Sequence, residues 1–521
     1  MKYLIIFFIL FSLGTGLLSC KRFLTESPES FLTEDQYYNT ESDAEAAVDA
    51  IYYHLNTNTV QSPYNTLFNT GMDMACDDED PGPGATNGDV RSLSVLSHNA
   101  SNQRVYEIWQ QHYAAIRKAN LVLSKIPDIT FSDETLKNRL TGEAEFLRAL
   151  FYFNLVRLFG DVPLVTEYQS DVLASAYYKS RTSSDSVYNQ IISDLSDAAS
   201  LLPDSYSSPD VGRATAGAAK GLLAKVYLIR ASLPLNETEY YAKAISEAEE
   251  VLSASDGGTG TYGYDLFEDY SHVFLPAYEN GVEHLFSAQM LANANGQKNA
   301  ETNRAIYTSI PGLTGNYAHM VRYYTNGDDA YYSIYKIFNP ADKRRDVTFV
   351  RSFTSPTNSN KYGLPLSNPA VVNDSTPFWN KWWDPDYAAN SYQSSTNVTI
   401  LRYSEVLLIH AEAENEANGP TTKAYTSINR VRTRAGLPNL TTGLTKDQFR
   451  DSVYLERRLE LCYEYQRWFD LIREKDASGS GILITSLHTA GKTNAASKHY
   501  LYPIPQTELD NNPLLTQNPG W

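Results

Sequence analysis

Helical periodicity governs both ends of this chain and is lost in its middle, and that division limits the folds open to it. Phe146, Ala149, Leu150 and Phe153 stand at i, i+3, i+4 and i+7, so they share one face of a helix. Gly160 and Pro163 close that segment. The segments 104–125, 183–202, 214–231 and 240–252 also read as helices; the first stops before Pro127 and the second at Pro203. Gly217 and Gly221, in an alanine-rich segment, predict close helix contact. Helix is predicted again over 401–416, 421–435 and 445–472. Helices of this length joined by short turns stack as helical hairpins.

From about residue 257 to 398 the pattern changes, and Gly, Asn, Pro, Ser and aromatic residues dominate. Gly257-Gly258-Thr259-Gly260 and Phe378-Trp379-Asn380-Lys381-Trp382-Trp383 are typical. A shorter loop, 73–101, interrupts the first helical block and carries Asp77-Asp78-Glu79-Asp80. Long loops in a compact chain are where function concentrates. The 38 Tyr outnumber the 20 Phe and 6 Trp. A tyrosine offers a flat apolar face and a hydroxyl, which suits partly polar ligands and wet helix seams alike.

The N-terminus reads as an export signal. Lys2 supplies the positive start, an apolar run extends from Tyr3 to Leu13, and Leu17-Leu18-Ser19-Cys20 follows. No later run is apolar enough to span a bilayer. The remaining length suggests about three domains. A formal net charge of −18 argues against nucleic acid or an anionic bilayer as a charge-driven partner. Of three cysteines, Cys76 and Cys462 follow Cys20, and two thiols make no disulfide framework.

The signal ending before Cys20 resembles that of bacterial lipoproteins, which implies cleavage before Cys20 and acylation of its thiol and amine. The helices resemble degenerate tetratricopeptide repeats, without a strict period of about 34 residues. The C-terminal segments carry a more specific resemblance. Leu401-Arg402-Tyr403-Ser404-Glu405-Val406-Leu407-Leu408, followed by Ala411-Glu412-Ala413, is one. Others are Ile428-Asn429-Arg430-Val431-Arg432-Thr433-Arg434-Ala435-Gly436-Leu437-Pro438 and Glu456-Arg457-Arg458-Leu459-Glu460-Leu461 with Arg467-Trp468-Phe469-Asp470-Leu471. The ending Tyr502-Pro503-Ile504-Pro505 to Asn518-Pro519-Gly520 agrees, as do Trp109, Tyr113, Ile116 and Asn120 ahead of Phe159-Gly160-Asp161-Val162-Pro163. In this order they resemble the SusD/RagB family of outer-membrane nutrient-binding lipoproteins.

That resemblance implies a mainly α fold: a tetratricopeptide-like helical hairpin platform with a large irregular, loop-rich ligand-binding region packed on it. The expected divisions are a lipoprotein signal peptide (1–19), an N-terminal helical region (20–256), the irregular aromatic-rich region (257–398) and a C-terminal helical region (399–521). It implies no enzyme and no catalytic residue. It implies a lipoprotein held at the outer membrane through Cys20 and facing the cell exterior. Such a protein binds oligosaccharides, or in some members peptides, and delivers them to a TonB-dependent, SusC-like transporter. Arg402, Glu412, Arg457, Glu460, Arg467 and Asp470 are then scaffold, expected in buried ion pairs. Two positions depart from the family pattern. Tyr465 stands where glycine is common, read here as a packing variation, and Lys21-Arg22 follow the lipid cysteine where acidic residues are more usual.

A sugar ring needs an aromatic face for its C–H groups and Asn, Asp, Arg or Tyr for its hydroxyls. Two loops offer both. The first supplies Asp73, Asn87, Asp89 and Arg91, and the second Asn316, Tyr317, Arg322, Tyr323, Tyr324, Asn326, Tyr331 and Tyr332. Relatives in the family often bring these regions together. Trp379 is a further candidate, with Trp382 and Trp383 behind it. No cofactor is expected; the 77–80 acidic run has calcium-binding chemistry but not EF-hand spacing, and reads mainly as a solvated loop. Ser486 to Thr493 imitates a phosphate-binding loop without its first glycine. No H-E-x-x-H or G-x-S-x-G motif occurs. Carboxylates abound, but spatial separation, not sequence, would define a glycosidase pair.

Overall fold

A computed structural model describes residues 38–56, 61–82, 84–168, 178–291, 319–328, 332–350, 352–354, 361–363, 377–382 and 394–521. The helical blocks form as the periodicity predicts. They comprise α1 (Glu41–Asn56), α2 (Gln103–Lys125), α3 (Glu134–Phe159), α4 (Ser184–Leu201), α5 (Ala216–Ala231), α6 (Tyr240–Val251), α7 (Tyr403–Asn418), α8 (Thr422–Arg434), α9 (Lys446–Glu460) and α10 (Arg467–Arg473). Local chemistry sets their ends. Asn102, Asp133, Ser183, Thr215 and Thr421 cap α2, α3, α4, α5 and α8 through side-chain oxygens, and Thr445 and Gln448 close a reciprocal capping box on α9.

Each helix packs on its neighbours in turn: α1 on α2, α2 on α3, α3 on α4, α4 on α5, α5 on α6, α6 on α7, and α7 on both α8 and α9. This is the mainly α, tetratricopeptide-like platform that the sequence implies. Helix α3 is buried along most of its length, with Phe146, Ala149, Leu150 and Phe153 at 1 % exposure or less. Among the described residues no helix is long and apolar enough to cross a membrane.

Short strands fasten the irregular middle to the platform. Strand β2 (His284–Ala288) pairs antiparallel with β6 (Val398–Arg402), the latter running directly into α7. Gly221 makes this possible. A Cβ there would stand 2.6 Å from Leu285 Cδ2, 3.1 Å from Leu401 Cδ2 and 3.5 Å from Val406 Cγ2 of α7, so the missing side chain admits the strand pair as well as the neighbouring helix. Strands β4 (Phe349–Val350) and β5 (Phe378–Trp379) pair over a second, smaller core of Tyr270, Phe274, Val321, Phe338, Trp382 and Tyr463.

The predicted helix over 445–472 is two helices, α9 and α10, with a break between them. At the break Tyr463 and Tyr465 take φ of 62° and 61°. That left-handed region suits glycine, so Tyr465 marks a backbone requirement and not a packing variation. Its ring is held edge-on by Tyr64 and Phe68, with centroids 6.2 and 5.8 Å away.

The scaffold charges are buried and paired. Glu460 accepts from Arg402 at 2.5 Å, from Arg344 at 3.0 Å and from Arg434. Arg402 also reaches Glu283 at 2.7 Å and Glu464 at 2.8 Å. Nearby, Arg473 holds Glu412 and Asp470, and Arg457 bridges Glu405 and Asp470 at 3.3 Å each. Cys76 and Cys462 are both free and buried, and burial pushes both thiols up.

Candidate functional site

The two loops singled out in the sequence are joined by backbone. Strand β1 (Glu79–Pro81) pairs antiparallel with β3 (His319–Val321), Glu79 opposite Val321 and Pro81 opposite His319. The Arg322 amide extends the ladder by donating to the Asp78 carbonyl at 2.8 Å. Antiparallel register sends the two chains out of this ribbon at opposite ends. Arg91 lies beyond the Pro81 end and donates to the Gly82 carbonyl at 3.2 Å, while Tyr324 lies beyond the Val321 end. A three-residue ribbon spans roughly 7–10 Å, about one to two sugar rings.

The acidic run at this ribbon is buried at Asp77, Asp78 and Glu79, which corrects the expectation of a solvated loop. Asp77 is 4 % and Asp78 3 % exposed. Arg467 grips Asp77 through two bonds of 2.8 and 2.9 Å, and Arg458 reaches Asp78 at 2.5 Å and Asp77 at 3.0 Å. Glu79 pairs with His319, and Asp80 with Arg322 at 2.5 Å and Lys492 at 3.4 Å. Burial alone would raise Asp77, yet Arg458 and Arg467 outweigh it and hold that carboxyl below its usual range; burial raises Asp78 against the pull of Arg458. These carboxylates latch the first loop to α9, α10 and the tail. Lys492, from the loop-like imitation of a phosphate site, is part of the latch and donates to the carbonyls of Met74 at 2.7 Å and Glu79 at 3.0 Å.

The remaining candidates divide between frame and surface. Asp73 is 1 % exposed and sits in a short turn of helix, so it is packed in the frame and cannot meet a ligand at the surface as expected. Trp379 is 3 % exposed, stacked on Tyr463 with centroids 4.5 Å apart and on Phe349 at 5.1 Å. Both faces are covered, leaving none for a sugar ring, so Trp379 is a core residue. Trp382 is 2 % exposed and donates to the Tyr463 carbonyl. Tyr323 turns inward to donate to the Pro377 carbonyl at 3.1 Å. Arg322 spends its guanidinium on Asp80 and on the Ala490 carbonyl.

Asn87 and Arg91 are exposed and Asp89 is half-buried. Asn87 caps the short helix Gly88–Ser94 by accepting from the amides of Asp89 and Val90, and this fixes where Asp89 and Arg91 project. Tyr324 and Tyr332 bond backbone to backbone at 3.0 and 2.9 Å and meet edge to face at 5.3 Å. Burial pushes the Tyr324 hydroxyl up to about 12 while Arg458 opposes it, so it stays protonated and able to donate. Asn326 is exposed. Cys20, Asn316, Tyr317, Tyr331 and Trp383 lie outside the described residues.

Sequence reasoning missed a second place with comparable chemistry. A pocket of about 260 Å³ lies between α2 and the 163–168 segment, lined by Tyr113, Arg117, Asn120, Tyr168 and Glu508 over Trp109. Arg117 lies over the Tyr168 ring at 5.2 Å. Its signal, Trp109 and Tyr113 one helical turn apart, was absorbed into the scaffold motifs.

Comparison with known proteins agrees with this architecture. The family model described as "Starch-binding associating with outer membrane" matches residues 22–228, and the one described as "SusD family" matches residues 278–521. The chain belongs to the SusD family. A SusD-like protein, P2, of Formosa agariphila is 29 % identical over the whole of both chains. A SusD superfamily structure from Parabacteroides distasonis covers 94 % of this chain and 100 % of its own, at 28 % identity and a TM-score of 0.74. A laminarin-binding SusD-like structure covers 93 % and 100 %, at 25 % identity and a TM-score of 0.75.

Proposed function

We propose that this SusD-family protein binds an oligosaccharide across the ribbon of β1 and β3. Asp89 and Arg91 bond hydroxyls at one end, and Tyr324 and Tyr332 present aromatic surface at the other. The observation that carries this is the pairing of the two loops, which sets polar and aromatic groups beyond opposite ends of one short ribbon. The laminarin-binding likeness and the starch-binding family description support a glucan as the ligand class. The protein acts by capture, not catalysis. Acylated Cys20 holds it at the outer membrane, facing outward, and it passes the glycan to a TonB-dependent, SusC-like transporter. A tether of this kind keeps the body at high local concentration over its partner.

Calorimetry with laminarin and starch oligosaccharides tests the binding. Arg91→Ala and Tyr324→Ala should each weaken it by tenfold or more. A purified chain that binds no member of a broad glycan panel refutes the carbohydrate reading. Labelled palmitate should enter the wild-type protein and not Cys20→Ala, and a large outer-membrane β-barrel should co-purify from native membranes. Peptide binding on the same scaffold is the alternative. A free acidic run at 77–80 would suit basic peptides, but its carboxylates are paired internally. Retention of peptides from a protein digest, with no glycan bound, would reverse the order of the two.

A further inference from the structure

The platform holds a set of metal-ligating side chains that sugar binding does not use. Glu249 on α6 and His410 and Glu414 on α7 bring one ligand atom each within 4.8 Å of one another. His410 and Glu414 are four residues apart and therefore share one helical face. His410 is fully buried, and its Nδ1 stands 2.8 Å from Ser427 Oγ on α8. The tautomer that donates Nδ1–H to Ser427 turns a lone pair on Nε2 into the cluster. Nε2 makes no well-formed hydrogen bond, and Glu249 Oε1 is 3.5 Å from it. An imidazole oriented through its second nitrogen is the arrangement that metal-bound histidines use.

Three further features fit. Glu414 Oε2 accepts from Asn418 at 3.0 Å and Thr421 at 3.1 Å, which fixes its carboxylate. A cation already sits at the edge of the cluster: the Lys423 ammonium lies 2.5 Å from Glu249 Oε1 on a side chain that is 54 % exposed. That flexible stem can leave without disturbing the core. Burial lowers the His410 pKa although Glu249 and Glu414 oppose it, which favours the neutral imidazole that a metal requires.

We propose that Glu249, His410 and Glu414 form a binding site for a divalent transition cation of the zinc class, displacing Lys423 and tying α6 to α7. One imidazole nitrogen with two carboxylates suits such an ion, and Glu249, whose side chain is 27 % exposed, is the side from which solvent would supply a fourth ligand. Because α6 joins the first helical block to α7 of the second, the ion acts as a staple between them.

The test is titration of the purified, chelator-treated full chain with Co²⁺, followed by visible absorption, and with Zn²⁺, followed by calorimetry. One equivalent should bind, with the absorption of a tetrahedral cobalt site. Glu249→Gln should weaken binding at least tenfold, and Lys423→Ala should tighten it severalfold by removing the competing charge. His410→Ala should abolish the absorption; if it fails to fold, Glu249→Gln at the half-exposed ligand decides. No stoichiometric binding by the wild type, or binding indifferent to both Glu249→Gln and Lys423→Ala, overturns the proposal.

Discussion

Replacing Glu460 with Gln keeps the shape of the side chain and removes the charge on which three guanidinium groups converge. Arg402, Arg434 and Arg344 all address this carboxylate, and all four residues are at most 7 % exposed. Each arginine retains another partner: Arg402 has Glu464 and Glu283, Arg434 has Glu283, and Arg344 has Asp342 and Glu456. The loss is therefore that of one broken buried pair, about 3–5 kcal/mol, and not three times that. The pH dependence gives a second handle. Burial alone would raise the Glu460 carboxyl, but Arg434, Arg402 and Arg344 outweigh it and hold it well below the ordinary value. A folded-state pKa below the unfolded one gives stability that is complete above the unfolded value, about 4.3, and lost as pH falls toward the folded one. Urea unfolding followed by tryptophan fluorescence should show the full deficit of Glu460→Gln at pH 7. The deficit should narrow by about 1.4 kcal/mol for each pH unit below about 4.3. Asp447→Asn, at a 58 % exposed partner of Arg450, is the control and should cost at most about 1 kcal/mol. A Glu460→Gln deficit below about 1 kcal/mol at pH 7, or one that does not change with acid, refutes the view of Glu460 as the hub of the buried network.

Other expectations follow from the same packing. Tyr465→Gly should relieve roughly 1–2 kcal/mol of left-handed backbone strain but lose about 3–5 kcal/mol of buried aromatic packing. Thermal unfolding should therefore register a net loss; a gain would mean that the ring contributes little. Trp379→Phe should lower stability while leaving glycan affinity within about twofold, since the ring is core; a tenfold loss of affinity in the folded variant contradicts that placement. Burial lowers His112 to about 4, so its share of stability is complete above the unfolded value of about 6.5 and disappears as pH falls toward 4. His112→Gln should flatten the melting temperature against pH over that window, and an unchanged slope would contradict it.

The platform was legible because helix boundaries depend on local chemistry. Periodic apolar residues, caps at Asn102, Asp133 and Thr445, and prolines at 127 and 203 act within a turn or two of chain. The break at 461–466 was not legible, because Tyr463 and Tyr465 occupy a conformation that only surrounding packing sustains. The convergence of the two loops came from family resemblance; nothing in composition pairs Glu79 with Val321. Trp379 and Asp73 misled for one reason. Aromatic and acidic residues in irregular segments have the same composition whether they face solvent or fill a core.

Sequence by itself determined which segments become helices, which residues carry apolar surface, and which ordered motifs place the chain in its family. These are properties of neighbouring residues. Only the tertiary structure decided how charge is used. Asp77 is 390 positions from Arg467 and Glu283 is 119 from Arg402, and whether such carboxylates meet water, metal or guanidinium depends on what folding brings within about 3 Å. Folding turned the acidic run into a latch and left Asn87, Asp89, Arg91, Tyr324, Asn326 and Tyr332 among the partly or fully exposed members of the candidate face.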